Sequence, residues 1–156
     1  MNTHDYFMER AIAQADLGIS QGHGGPFGSV VVRNGQIVGQ GHNQVLLNND
    51  PTCHGEVQAI RDACKNLGTF DLSGCQLYTT AAPCPMCLGA ILWANISKVY
   101  TGCEIADTDA IGFRDDRFYE YFRKGDPSVL TVESVGREKC LELFDRYTAI
   151  NGKGNY

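Results

Sequence analysis

The sequence is most informative at first through what it does not contain. No apolar run approaches the roughly 18 residues that a membrane-crossing helix requires. The opening stretch "MNTHDYFMERAIAQADLG" carries acids early and has no apolar signal core, so a cytoplasmic protein with no membrane contact is expected. Positive charge is not in excess: 13 Lys and Arg against 18 Asp and Glu give a formal net charge of −5. Affinity for nucleic acid rests mainly on Lys and Arg, so no nucleic-acid partner is expected. There is no internal repeat, no low-complexity segment and no obvious linker. A second Cys-x-x-Cys and an His-x-x-x-His are also missing, which removes the usual four-ligand frameworks of structural zinc.

What is present reads as one ordinary globular domain over residues 1–156, with 43% hydrophobic and 20% charged residues. Apolar groups at helical spacing over 3–20 (Phe7, Met8, Ala11, Ile12, Ala15, Ile19) predict a first helix. "SVVVRNGQIVGQG" predicts a hairpin, with Ser29–Val32 and Ile37–Gln40 flanking the Asn34-Gly35 turn. Asp50 as N-cap and Pro51 as first residue announce a helix whose stripe runs through Val57, Ile60, Ala63, Cys64 and Leu67. Strands are expected at 75–80, 98–102 and 129–135, and helices from Pro83 or Cys84 and over 137–150. Strands alternating with helices imply an α/β sandwich around one central sheet.

The chain has seven cysteines. Five of them, Cys53, Cys64, Cys75, Cys103 and Cys140, are scattered, and are expected to be reduced and buried as small hydrophobes. The other two sit in "TTAAPCPMCLGAIL" (79–92) as Cys84 and Cys87. That spacing suits a disulfide, a redox dithiol, a structural zinc or a catalytic zinc. At i and i+3 of a helix start both sulfurs face one point, and the helix N-terminus favours the thiolate. His54 stands near the start of the preceding helix, with Glu56 two residues on. Two thiolates and one imidazole leave a fourth tetrahedral position open, which is the mark of a catalytic zinc site. A redox dithiol has no need of the His-x-Glu, and a structural zinc lacks a fourth ligand, Cys53 being turned about 100° from His54 on a helix. Catalytic zinc fits the combination best, with Glu56 as the group that takes and passes on protons.

"HGE" (54–56) followed by "PCPMC" (83–87) resembles the H-x-E…P-C-x-x-C signature of the zinc-dependent nucleobase deaminases, whose known mechanism is carried over here rather than derived. The resemblance implies the cytidine-deaminase-like fold: a three-layer α/β/α sandwich on a five-stranded mixed sheet. It also implies a Zn2+ hydrolase acting on a C–N bond, with metal ligands His54, Cys84 and Cys87 and catalytic Glu56. Within that superfamily "GGPFG" (24–28), "NDPTCHGEVQAIRDAC" (49–64), "DTDAIGFRDDRFYE" (107–120) and the terminal Tyr156 are similar to the short bacterial guanine deaminases. In those enzymes the base stacks on the phenylalanine here numbered Phe27. Its edge is read by Asn43, and Asp115 and Tyr156 complete the pocket. The resemblance therefore implies guanine, a small-molecule nucleobase, as substrate. It further implies a homodimer that exchanges its C-terminal segment, about 130–156, and a place in purine catabolism.

Taken singly, Phe27 and Asn43 also suit a packed turn, and Asp115 also suits a solvated charge run with Arg114, Asp116 and Arg117. Two features depart from the bacterial guanine deaminases: Gly55 where they usually have Ala, and Ala81-Ala82 where they usually carry a Glu before the cysteines. "HGE" and "GHN" (41–43) are similar instead to fungal cytosine deaminases, which makes cytosine the alternative substrate. The tRNA adenosine deaminases share the zinc motif but need a basic surface. A zinc-holding binding module without turnover is the remaining alternative, and Glu56 argues against it.

Overall fold

A computed structural model describes residues 2–152 and 154–156. The chain forms two compact units, residues 1–119 and 120–156. The first contains the sheet. Helix α1 (His4–Ser20) starts where the Thr3 side chain accepts from the Tyr6 N–H. Strands β1 (Gly28–Arg33) and β2 (Gln36–His42) follow as the expected hairpin. Asn34 and Gly35 both take positive φ, 51° and 75°, as the two-residue turn demands. A short helix α2 (Val45–Asn48) leads to α3 (Gly55–Leu67), then β3 (Gln76–Ala81), α4 (Pro85–Trp93), β4 (Lys98–Cys103), α5 (Ile105–Ala110) and α6 (Asp115–Lys124).

The sheet order is β2-β1-β3-β4, with β1 antiparallel to both neighbours and β3 parallel to β4. Alternation along β1 builds the layers. Val31 packs with Ala59, Ala63, Leu77 and Ile91 from α3, β3 and α4, whereas Val30 and Val32 pack with Phe7 and Tyr78. Helix α3 lies unusually close to the sheet because Gly39 offers no side chain: a Cβ there would stand 2.5 Å from the Ala63 nitrogen and 2.6 Å from the Ala59 oxygen. That contact fixes where the N-terminus of α3, and hence His54, points.

The expected α/β sandwich with a mixed sheet is found, but with four strands among the described residues rather than five. The segment 129–135, expected as a strand, forms no strand pairing among the described residues. Val129, Leu130, Val132 and Val135 are all exposed. It belongs to the second unit, which otherwise holds the end of α6 and α7 (Arg137–Thr148). Another expectation is corrected at Asp50-Pro51. The Asp50 carboxylate accepts from the Thr52 N–H (2.8 Å) and the Thr52 hydroxyl (2.7 Å), closing a local turn. The helix starts at Gly55, with His54 itself as N-cap. All seven cysteines are free. Cys53 and Cys75 are buried as expected, but Cys64 is only half-buried and Cys103 and Cys140 are exposed.

Candidate active site

Three strands of the sheet deliver their loops to one end. Phe27 precedes β1, Asn43 follows β2, and Ala81 ends β3 with Ala82 through Cys84 following it, because β1 runs opposite to the other two. The Asn43 N–H donates to the Phe27 carbonyl at 2.9 Å, tying two of these loops together.

Two helix starts then converge. His54 is the N-cap of α3, Cys84 is the N-cap of α4 and Cys87 lies one turn in. Their ligand atoms lie within 4.8 Å of one another. His54 Nδ1 is 3.5 Å from Cys84 Sγ and 3.6 Å from Cys87 Sγ. A tetrahedral centre with Zn–S of about 2.3 Å and Zn–N of about 2.0–2.1 Å separates sulfur from nitrogen by about 3.6 Å. The observed spacing is therefore that of ligands already set around one ion, and the S2N donor set suits zinc.

The electrostatics agree. Cys84 is held down to about 4, first by the hydrogen bond from Cys87 and also by one from His54, against the opposing effect of burial. The same pairing pushes the Cys87 thiol up, with burial adding to it. The His54 imidazole is raised, chiefly by its bond to Cys84. A divalent cation bound to this set would hold it as two thiolates and a neutral imidazole. Glu56, at the second position of α3, is 6% exposed. Burial raises its carboxyl pKa, and a hydrogen bond with Cys87 opposes that rise. A buried carboxyl beside the ligand set, its proton affinity raised by burial, is suited to receiving and returning a proton.

These groups open onto a cavity of about 480 Å³. Its walls include Phe27, Asn43, His54, Glu56, Cys84 and Asp115 from the sequence-derived set. Asp115 is half-buried, and its carboxyl is raised by burial and then by the Cys84 charge. Ala81 and Ala82 line the wall as well, so the departure noted at that pair faces the cavity directly, whereas Gly55 does not line it. Glu104 is not available to replace the absent carboxylate: it is exposed and closes a reciprocal capping box with Asp107 at the start of α5. Tyr156 lies in the second unit and is exposed there. Sequence reasoning missed Phe113, Arg114 and Phe118, which also line the cavity. Phe113 stands within the quoted "GFRDD" stretch, but only the folded loop shows its ring against Phe27, centroids 4.8 Å apart and planes at 82°.

Residues 1–103 match the model of the cytidine and deoxycytidylate deaminase zinc-binding region. The chain belongs to that family. As a member of this zinc deaminase family it is 48% identical to guanine deaminase of Bacillus subtilis, over 98% of this chain and 99% of the relative. The crystal structure of guanine deaminase from Bacillus subtilis superposes with a TM-score of 0.93, covering 100% of this chain and 99% of the other at 41% identity. A tRNA-specific adenosine deaminase of Buchnera aphidicola is 41% identical over 91% of this chain and 86% of the relative. The zinc expected from the sequence fits both the family and the His/Cys/Cys group. No helix among the described residues is long and apolar enough to cross a membrane.

Proposed function

We propose that this deaminase converts guanine and water to xanthine and ammonia. The observation that carries the reading is the likeness to a guanine deaminase along both chains almost end to end. His54, Cys84 and Cys87 hold the zinc, which when bound makes hydroxide available near neutral pH. Glu56 accepts the proton of the attacking water and passes it to a ring nitrogen beside C2. As the C2–O bond forms and the C2–N bond breaks, it delivers a second proton to the departing amine, which leaves as ammonia. Phe27 stacks on the purine. The Asn43 Oδ1 accepts from the Val45 N–H at 3.1 Å, which turns its amide N–H groups toward an acceptor edge of the base. Asp115 supplies the carboxylate that Ala81-Ala82 do not.

The second unit supports a homodimer with exchanged C-terminal segments. Phe122, Val132, Val135, Leu143 and Phe144 are all more than half exposed, an apolar load that one chain leaves uncovered. In β4 the outer edge of the sheet is open to a strand from a partner copy, and the exchange would bring Tyr156 to the pocket of that copy. We read the protein as a cytoplasmic enzyme of purine catabolism acting on a free base, and the net charge of −5 supports the lack of a nucleic-acid partner. Protein carrying one zinc per chain, incubated with guanine, should yield xanthine and ammonia in equal amounts. Fully metallated protein that forms no xanthine would overturn the proposal.

A further inference from the structure

The Phe27 ring is not held by its own loop alone. Phe113, from the turn between α5 and α6, meets it edge to face with centroids 4.8 Å apart. The two rings meet over Gly25. A Cβ built there would stand 2.8 Å from Phe113 Cζ and 2.9 Å from Phe27 Cε2, closer than real Cβ contacts allow. No positive φ is recorded for Gly25, so the glycine is required by space and not by backbone conformation. Two residues after Phe113 comes Asp115, which opens α6. At the far end of the same segment the Tyr119 hydroxyl donates to the Pro83 carbonyl, next to Cys84. Residues 113–119 are therefore fastened at two points, one on the aromatic platform and one beside the metal ligands, with Asp115 between them.

We propose that Phe113 is a positioning residue for substrate specificity: its ring, seated in the gap left by Gly25, sets the plane of Phe27 and fixes Asp115 over the base. The inference rests on the reading of Phe27 as the stacking face. Phe113 supplies no metal ligand and no proton-carrying group, and its ring packs on Phe27, so its loss weakens base binding without slowing the chemical step.

The test is a double-mutant cycle on zinc-loaded protein, with KM and kcat for guanine measured separately. Phe113→Ala should raise KM about 10-fold and leave kcat within about 3-fold, on the scale of one aromatic contact to a base. Phe113→Leu, which keeps the bulk without the ring edge, should fall between the two. Gly25→Ala should raise KM to a similar degree. Placed on Phe113→Ala, it should add less than about 2-fold, because Phe27 can then move into the vacated space. Single effects that multiply in the double variant would overturn the coupling. So would a Phe113→Ala variant with unchanged KM while Phe27→Ala raises it. If Phe27→Ala itself leaves KM unchanged, the stacking reading fails and this inference fails with it.

Discussion

Gly24→Ala isolates what Asn43 does. Gly24 has no positive φ, so the backbone accepts alanine without strain. The cost lies in what the new Cβ meets: Asn43 Oδ1 at 2.1 Å and the Asn43 backbone oxygen at 3.0 Å. The Asn43 side chain has to turn away, and its bond from the Val45 N–H (3.1 Å) breaks. That bond is worth about 1 kcal/mol of stability. With urea m-values of about 1–3 kcal/mol/M, the unfolding midpoint should fall by roughly 0.3–1 M. The displaced amide no longer offers its N–H groups to the base, a loss of about 1–2 kcal/mol in transition-state binding, or about 5- to 30-fold in kcat/KM. Steady-state kinetics on guanine and urea melts read the two effects separately. Asn43→Ala should lose at least as much activity, and adding Gly24→Ala to it should change little. A Gly24→Ala enzyme within 2-fold of wild type, or a double variant well below Asn43→Ala, would refute the reasoning.

Two further outcomes follow from the structure. His42 hydrogen-bonds His23 at 2.8 Å and Gln14 at 3.1 Å, and burial, then the nearby His23, lowers its pKa below the usual 6.5. The unfolded chain then binds more protons than the folded one below pH 6.5, so this contribution to stability is present above that pH and is lost as pH falls through it. His42→Gln should flatten the fall in urea midpoint between about pH 7 and about pH 5; an unchanged slope would show that the pair does not carry it. The exposed apolar load of residues 120–156 predicts a dimer of twice 17.1 kDa by sedimentation, whereas a monomer at micromolar concentration would remove the exchanged-arm proposal.

The parts of the site that were legible in the sequence are those fixed by short-range geometry. Cys84 and Cys87 share a face because they are three apart at a helix start, and His54 reaches them because it caps the helix before. The Asn34-Gly35 hairpin was legible for the same reason. Asp50-Pro51 misled because an aspartate that accepts two bonds from Thr52 satisfies a turn as well as a cap. Residues 129–135 are rich in the β-branched residues that favour strands (Val129, Thr131, Val132, Val135), but pairing depends on a neighbour that composition does not specify. Phe113 was hidden because its partner, Phe27, is distant in sequence, and the gap that admits both rings is a glycine with no signature beyond "GGPFG".

The central claim is that a buried carboxyl beside a His/Cys/Cys zinc site carries the protons of guanine hydrolysis, and Glu56→Gln tests it most directly. The amide keeps the size of the side chain and cannot accept the proton. With zinc stoichiometry confirmed at one per chain, kcat for xanthine formation should fall by about 10²- to 10⁴-fold while guanine still binds. A Glu56→Gln enzyme that retains zinc and turns guanine over at the wild-type rate would contradict the account.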